Sequence, residues 1–371
     1  MNCSVSKATP SQQAPKIVVL GGGIAGLSVY ASLKKLNFEV QIYERSSSKR
    51  SSGMGFLLLE NGLQTLKEIG LDHSFNNISK KLEHYVSFEH SNTLGISTPL
   101  EGVYAVKRND ILDMLLEDVD PKDLNYDMCY DHLVFDEDGT ARAVVMTDGT
   151  TIKADVFIAA DGVYSKVRSD LFSNVLLEET DDHEIVCLMP KGFGTVPPGN
   201  DWVKYLDSTA GVNMGMFKLY NEELLWYLQF DKSKHGTPME MEYGMVDFLK
   251  KFTEYLPDSF KDILLKSDPG KCFYWKTKRM DLLPRFHQNN VLLIGDAAHP
   301  LLTFTSQGVN SALRDALVLG NLFAEGERDL EKIFTDFYLD RKDEIERYIK
   351  EGDERLEEFS SAKLQGLPLV C

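Results

Sequence analysis

The sequence predicts an α/β fold with a parallel βαβ domain, an inserted and mostly antiparallel sheet, and a long C-terminal helix. The apolar run at 16–20 leads into a glycine-rich turn, a helical segment and a second strand at 38–43, which is the order of a βαβ unit. Between about 173 and 281, apolar and polar residues alternate, as they do in half-buried strands. The charged segment 330–363 has apolar residues at near-helical spacing, which predicts the long helix.

Length and charge limit the class of protein. The chain has 371 residues, enough for two connected domains, and its 40 Lys and Arg against 57 Asp and Glu give a formal charge of -17. Such an acidic surface disfavours binding to nucleic acid or to anionic membranes. No run approaches the roughly 18 apolar residues of a membrane span. The five scattered cysteines lack metal-ligand spacing and favour free thiols, so we expect no metal site and a cytoplasmic protein.

The N-terminal segment 1–15 is polar and has no apolar stretch of a secretory signal, so it is interpreted as a disordered leader. A weak organelle-targeting role for it stays open. The remaining chain is divided into a first domain that contains the βαβ unit, a second domain and a C-terminal helix with its tail. The predicted bounds are 16–83, 101–172 and 282–345 for the first, 84–100 and 173–281 for the second, and 346–371 for the third.

Further elements follow from local patterns. Residues 110–117 are predicted to be helical, and Asp138-Gly139 and Asp148-Gly149 indicate hairpin turns. Buried strands are expected at 155–160 and 291–294, and a helix at about 308–323.

The first turn predicts a dinucleotide site. Gly21 permits a tight turn off the strand, Gly23 lets a pyrophosphate approach the backbone, and Gly26 lets the helix pack closely on the sheet. The helix that begins at Ile24 and Ala25 offers free N–H groups and a positive dipole end to that pyrophosphate. A bound adenine dinucleotide is therefore predicted.

The end of the second strand indicates which ribose is bound. Glu44 follows Gly26 by 18 residues. A carboxylate at this place suits a ribose diol and repels a 2′-phosphate.

Two later segments carry a resemblance to a known family. Residues 155–168 read DVFIAADGVYSKVR, and 295–300 read GDAAHP, followed by QGVN at 307–310 and Asp315-Ala316. With the glycine turn, these resemble the three fingerprints of the para-hydroxybenzoate hydroxylase-like (class A) FAD-dependent monooxygenases. There is some likeness to the tetracycline-inactivating monooxygenases. The resemblance spans about 16–345 and implies a Rossmann-type FAD-binding domain (GR2-like) with an inserted substrate domain.

The resemblance implies roles for individual residues. Glu44 would bind the adenosine ribose of FAD, Arg45 and Arg108 would lie along its ribose, pyrophosphate or ribitol, and Asp296 would bind its ribitol and pyrophosphate side. Asp161 is implicated in contacts to FAD and NAD(P)H. The helix start would face the flavin pyrimidine edge with the backbone of Gly308, Val309 and Asn310. Arg108 as a helix-cap residue and His299 as a structural residue remain alternatives. No catalytic residue is assigned.

The implied activity is hydroxylation of a small electron-rich substrate, aromatic or polyketide-like, with FAD, NAD(P)H and O2, through a hydroperoxyflavin. NAD(P)H would be a co-substrate without its own Rossmann domain, and the enzyme a monomer or homodimer. Candidate pocket walls are aromatic residues of the second domain, of which about half should face inward: Trp202, Tyr205, Tyr220, Trp226, Tyr227 and Phe230.

One loop departs from the family pattern. Leu302 and Thr303 replace prolines and Ser306 replaces a glycine in the loop beside the reacting face of the flavin. This departure keeps open an FAD enzyme that desaturates, cyclises or reduces without inserting oxygen. A non-catalytic FAD-binding interaction protein is a further alternative, since the apolar stripe of the long helix could serve an interface.

Overall fold

The computed structural model describes residues 15–47, 54–88, 94–193 and 199–361. The predicted leader, apart from residue 15, and the tail from 362 onward lie outside these residues. The described residues form nineteen strands, numbered in chain order: β1 Lys16–Leu20, β2 Glu39–Tyr43, β3 Gly55–Leu59, β4 Ser79–Lys81, β5 His84–Phe88, β6 Leu94–Pro99, β7 Val103–Lys107, β8 Leu124–Asn125, β9 Tyr130–Phe135, β10 Ala141–Met146, β11 Thr151–Lys153, β12 Val156–Ala159, β13 Glu178–Met189, β14 Asp201–Asp207, β15 Val212–Lys218, β16 Leu224–Asp231, β17 Cys272–Arg279, β18 His287–Gln288 and β19 Val291–Leu293.

The same residues form ten α-helices, again in chain order: α1 Ile24–Lys34, α2 Glu60–Ile69, α3 Phe75–Ile78, α4 Arg108–Leu116, α5 Lys166–Leu171, α6 Lys232–His235, α7 Met245–Phe252, α8 Asp258–Lys266, α9 Gly308–Ala324 and α10 Leu330–Ser360.

A six-stranded sheet forms the centre of the first domain, in the order β18-β19-β12-β1-β2-β8. Its strands are parallel except for the edge strand β18. Ile17, Val18 and Val19 are fully buried in a core that the sheet shares with α1, α9 and the strands β9 and β10, which explains the continuous apolar run of β1. The carboxyl ends of β1, β2, β12 and β19 meet at one edge, where α/β sheets bind ligands.

A seven-stranded sheet forms the second layer, in the order β17-β13-β16-β15-β14-β5-β6. All its neighbouring pairs are antiparallel except β14 with β5. The strands β3, β7 and β4 form a small sheet whose apolar side packs against the seven-stranded sheet in a shared core. A second small sheet, β9 to β11, contains the two hairpins predicted at Asp138-Gly139 and Asp148-Gly149.

Residues 245–266 correct one expectation. They belong to the segment that was interpreted as largely antiparallel sheet, but they form α7 and α8. Phe248 and Phe252 on α7, and Phe260 and Leu264 on α8, repeat at a spacing of four residues and are buried against the far face of the seven-stranded sheet. This spacing is typical of a helix, so the strand prediction from alternating apolar and polar residues is wrong for this segment.

The long C-terminal helix is confirmed as α10 over Leu330–Ser360. The predicted boundary at 345/346 falls inside this continuous helix; the other domain bounds stay predictions. Phe334 and Phe337 anchor its first turns in the core of the first domain. Within the described ranges, no helix combines the length and apolar character needed to cross a membrane. The fold class, an α/β FAD-domain architecture with an antiparallel sheet and a terminal helix, is confirmed.

Candidate functional site

A single cavity connects the two layers of the molecule. Its volume is about 710 Å³, within the range of about 300–1,000 Å³ that ligand pockets have. One end lies at the carboxyl edge of the parallel sheet, and the other lies against the seven-stranded sheet. Eleven of the thirteen residues predicted to bind the cofactor line it: Gly21, Gly23, Ile24, Ala25, Glu44, Arg45, Arg108, Asp161, Asp296, Gly308 and Val309.

The turn between β1 and α1 has the backbone geometry that the glycine spacing predicts. Gly21 has a φ of +115°, and a Cβ there would collide with the carbonyl of Ala160. A Cβ on Gly26 would collide with the carbonyl of Gly21, so this glycine permits the close helix packing and does not itself line the cavity. A Cβ on Gly23 would meet no protein atom within 4 Å. Space at Gly23 is therefore left for something outside the protein chain.

Two long helices begin at the cavity wall. In the described residues neither α1, preceded by Gly23, nor α9, preceded by Gln307, has a side-chain cap. Ile24 and Ala25 of α1, and Gly308 and Val309 of α9, line the cavity. The first N–H groups of a helix lack intrahelical partners and carry partial positive charge. Both helix starts are therefore suited to bind negatively charged groups of a ligand.

Glu44 and Arg45 lie where β2 ends. The Glu44 carboxylate accepts hydrogen bonds from the backbone N–H of Gly22 at 2.6 Å and of Ser46 at 2.8 Å. These bonds fix the carboxylate beside the glycine turn while it still lines the cavity. Arg45 is exposed at the rim, where its cation reduces the net negative charge of this end.

Asp161 lies at the end of β12 with one carboxylate oxygen committed to the protein. Its Oδ2 accepts from the backbone N–H of Lys166 at 2.9 Å, whereas the buried Oδ1 has no partner within the described part of the chain. Burial raises the pKa of this carboxyl, against hydrogen bonds from Ser165 and backbone N–H groups. An unpaired buried oxygen is costly unless a ligand supplies a donor.

Asp296 follows β19 and lines the cavity between several cations. Burial raises its pKa, while His299, Arg108 and Arg168 oppose that rise. Arg168 donates to the carbonyls of Asp296 at 3.1 Å and Ala297 at 3.0 Å, so it holds the loop after β19. Arg108 is the first residue of α4, and its side chain lines the same cavity.

The side chain of Asn310 binds within the protein, whereas the expectation for this residue concerns its backbone and stays a prediction. Its side chain accepts from the backbone N–H of Leu59 at 3.0 Å and donates to the carbonyl of Ser306 at 2.7 Å. It is buried and does not line the cavity. Its contacts join β3 to the loop before α9, so its side chain positions that loop.

His299 belongs to a buried ionic cluster below the site. Its Nε2 lies 2.8 Å from Asp315 Oδ2, and Arg341 Nε lies 2.8 Å from Asp315 Oδ1. Burial alone would raise the Asp315 pKa, but His299 and Arg341 outweigh it and lower the pKa to about 2. The cluster ties the loop after β19 to α9 and α10. The geometry supports the structural reading of His299.

The sheet wall of the cavity contains polar residues that the sequence analysis did not select. Of the six proposed aromatic walls, Trp202 and Tyr227 line the cavity. Tyr205, Trp226 and Phe230 face the core with α7 and α8, and Tyr220 is exposed. The unpredicted wall residues are Glu184 on β13, Lys204 on β14, Gln229 on β16 and Trp275 on β17.

A charged residue inside an apolar strand was the signal for this wall. Val203 and Tyr205 face the apolar core on one side of β14, so Lys204 between them faces the cavity on the other side. Lys204 is only 3% exposed, and its Nζ lies 5.7 Å from the centre of the Trp202 ring. Lysine is almost never fully buried unless it is paired.

Fold and site together define a flavin-dependent oxidoreductase. Two uncapped helix starts, a glycine turn with open space at Gly23, and the free Oδ1 of Asp161 fit a dinucleotide, and the cavity extends beyond it to a polar wall. Residues 15–338 match the family model described as FAD binding domain, and the chain belongs to this family.

Relatives and solved structures agree. The chain is 26% identical to 6-hydroxynicotinate 3-monooxygenase of Pseudomonas fluorescens, over 84% of this chain and 83% of that protein. It is 24% identical to FAD-dependent urate hydroxylase of Mycolicibacterium vanbaalenii, over 85% and 81%. The fold is similar to Klebsiella pneumoniae HpxO complexed with FAD and uric acid, with a TM-score of 0.83, 18% identity and coverage of 93% and 88%.

These findings confirm the class. The protein is a class A FAD-dependent monooxygenase, an oxidoreductase that uses FAD with NAD(P)H as co-substrate. The resemblance drawn from the three fingerprints is confirmed with it.

Proposed function

We propose that this cavity binds FAD at its parallel-sheet end and a small electron-rich ring at its sheet wall, and that the protein hydroxylates that ring. The observation that carries the proposal is the continuity of the cavity, which runs from the glycine turn to the wall of Glu184, Lys204 and Tyr227. Bound FAD supplies acceptance of hydride from NAD(P)H and activation of O2.

The chain's own residues would hold the cofactor in three places. Gly21 to Ala25 with the α1 start would bind the pyrophosphate, Glu44 with Arg45 the adenosine ribose, and Asp161 with Asp296 and Arg108 the ribitol side. The uncapped start of α9 at Gly308 and Val309 would stabilise negative charge on the flavin ring. Asn310 would act indirectly, through the loop it holds.

The wall supports a polar substrate. Glu184, Lys204 and Gln229 would be poorly satisfied against a purely apolar ligand. Relatives are named for 6-hydroxynicotinate, urate and kynurenine, which supports a small ring with polar substituents over a polyketide-like one. The indole of Trp202 and the ring of Tyr227, joined by a 3.1 Å hydrogen bond from Nε1 to the hydroxyl, would exclude water around it.

We propose further that the enzyme works in the cytoplasm, as a monomer or homodimer. Cys129, Cys187 and Cys272 are free thiols, which suits a reducing compartment where NADH and NADPH are available.

The test uses the purified, FAD-loaded protein. Its flavin should be reduced anaerobically by NADH or NADPH, and a set of phenols and hydroxylated N-heteroaromatics should be screened for faster nucleotide oxidation in air. We expect at least one compound to accelerate oxidation and to yield a product one oxygen heavier. Flavin-loaded protein that neither nucleotide reduces, with no compound accelerating oxidation, would overturn the proposal. The choice between NADH and NADPH follows from the same rates.

A further inference from the structure

Two residues of opposite charge, on different strands, line the sheet wall of the cavity. Glu184 is at the middle of β13, directly opposite Gln229 of β16 and Trp275 of β17. Lys204 on β14 is nearly fully buried, and both side chains line the cavity. Removing such groups from water costs several kcal/mol each unless they interact with partners. Their place in the wall, and not in a core, puts them in contact with whatever occupies the cavity.

A loop that departs from the family pattern reaches Glu184. Gln229 Nε2 donates to Thr303 Oγ1 at 3.0 Å, and both of these side chains act to lower the pKa of the Glu184 carboxyl. Asn213 donates in turn to Gln229 Oε1 and fixes the amide orientation. Proline at 303 would have no hydroxyl, so this contact depends on the departure. The loop that leads to the start of α9 is therefore linked to the carboxylate in the wall.

The pKa of Glu184 and that of Lys204 both lie near neutral pH. Burial raises the Glu184 pKa to about 7, although Gln229, Thr303 and Lys204 oppose the rise. Burial and Arg355 lower the Lys204 pKa to about 7, although Glu184 and Asp182 oppose it.

Other charged or titratable groups face this pair from each element packed on it: Asp182 on β13, Tyr227 on β16 and Arg355 on α10. Burial raises the pKa of Asp182 and that of Tyr227.

We propose that Glu184 is the proton acceptor for the substrate, with Thr303 and Gln229 as its positioning residues and Lys204 as the cation that stabilises the resulting anion. The substrate class is a phenol or a hydroxylated N-heteroaromatic. Its O–H bond, or the N–H bond of its lactam form, breaks; the proton forms a new O–H bond on Glu184, and the electron pair stays on the substrate. This inference rests on the proposed function and deepens it.

Proton transfer would serve the reaction in a definite way. A ring that carries an anionic oxygen is richer in electrons than its neutral form, so it reacts more readily with an electrophilic oxygen. A general base is effective when its pKa lies near the working pH, which is the condition Glu184 meets. A carboxylate at its ordinary pKa would be too weak a base for a phenol.

The experiment measures ionisation of a bound probe without turnover. 2-Fluorophenol is added to the oxidised, FAD-loaded protein without nucleotide, and its 19F resonance and dissociation constant are followed against pH. In the wild type we expect the bound probe as the anion, with affinity that rises as pH passes the Glu184 pKa. Failure of the wild type to bind the probe, or binding as the neutral phenol, would overturn the proposal.

Variants separate the acceptor from its positioning residues. Glu184→Gln should leave the probe neutral and remove the rise of affinity with pH, a loss of about tenfold for each pKa unit the carboxylate contributes. Thr303→Val should shift the rise to higher pH, because the Thr303 hydroxyl acts to lower the Glu184 pKa and the valine has no such group. Thr303→Ser should restore the wild-type profile.

Glu178→Gln is the matched control. Glu178 begins the same strand, is exposed and lies outside the cavity lining, so the probe should behave as in the wild type. An anionic probe in Glu184→Gln, or an unshifted profile in Thr303→Val, would contradict the assignment. Flavin content and anaerobic reduction by NAD(P)H are measured on every variant. If these are normal and the probe results are contrary, the inference fails while the proposed function stands.

Discussion

The two ends of the cavity are built in different ways. At the parallel-sheet end, backbone atoms do much of the work: glycine positions, a tight turn and two helix starts. At the wall of the seven-stranded sheet, the cavity is lined by side chains from four separate strands, among them Glu184, Lys204 and Gln229. A site that is formed by backbone atoms tolerates few substitutions and therefore retains its specificity for one ligand. A side-chain-built site can be changed one residue at a time, which suits a wall that selects among substrates.

Adding a methyl group to the glycine turn should have the largest effect on FAD binding and stability. Gly26→Ala places a Cβ against the carbonyl of Gly21, a backbone obstacle that cannot rotate away. The cost should exceed the about 1–3 kcal/mol of ordinary overpacking, so we expect loss of both FAD and thermal stability. Flavin content by absorbance and the melting temperature measure the two effects.

Gly23→Ala should be compared with Gly26→Ala, because it adds the same methyl group at another glycine of the turn. Its Cβ meets no protein atom, so the fold should melt at the wild-type temperature without added FAD. Its flavin content should nevertheless fall, because the pyrophosphate approaches this position. Wild-type flavin content in Gly23→Ala would contradict the placement of FAD along the turn.

The ionic cluster under the site should give the next largest effect. Asp315→Asn leaves Arg341 without its buried counter-ion and His299 without its carboxylate partner, and breaking a buried ion pair costs about 3–5 kcal/mol. Urea unfolding at pH 7 measures this, with Asp343→Asn on the exposed side of α10 as control. The Asp315 pKa is lowered to about 2, below its unfolded value of about 3.9.

The sign of the pH dependence follows. Because the folded pKa is the lower one, the stabilisation is fully present above pH about 4 and is lost as pH falls toward 2. The stability difference between wild type and Asp315→Asn should shrink over that range. A difference independent of pH there would show that the Asp315 charge contributes little.

A change confined to the sheet wall should affect the substrate and spare FAD. Gly215 lies opposite Tyr227, and a Cβ on Gly215 would collide with the Tyr227 ring. Gly215→Ala should displace that ring in the cavity and lower kcat/KM for the screened substrate by about ten- to a hundredfold. Gly270→Ala, at an exposed turn, should leave kcat/KM unchanged. Reduced flavin content in Gly215→Ala would argue against a division between the two ends.

The smallest effect is expected at the departing loop. Ser306 has a φ of +53°, in the left-handed region that favours glycine. Ser306→Gly relieves that strain but adds freedom to the unfolded chain, so the change in the free energy of unfolding should stay below about 1 kcal/mol. Urea unfolding measures it, and a loss of several kcal/mol would mean that the Ser306 side chain has a structural role.

The parallel-sheet end could be predicted because its determinants are local. The run Gly21 to Gly26 contains its own turn, and the carboxyl ends of neighbouring parallel strands bring Glu44, Asp161 and Asp296 to one edge. The predicted strand at 291–294 and helix at 308–323 correspond to β19 and α9 within one residue. These patterns need no knowledge of which distant strand pairs with which.

The sheet wall could not be predicted in the same way. Glu184 faces Gln229 only because β13 pairs with β16 in one register, and a shift by one residue would turn it to the other face. Arg341 reaches Asp315 across 26 residues, from α10 to α9. The contact of Thr303 with Gln229 joins residues 74 apart. Such contacts are set by tertiary packing, and only the charges within apolar strands pointed toward them.

The most direct test of the central claim is a turnover under 18O2 with a compound that accelerates NAD(P)H oxidation. If FAD and substrate share the one cavity, the product should contain a single oxygen atom from 18O2, and its amount should follow the nucleotide consumed. Nucleotide oxidation that yields only labelled hydrogen peroxide, or a product oxidised without the label for every accelerating compound, would contradict the account.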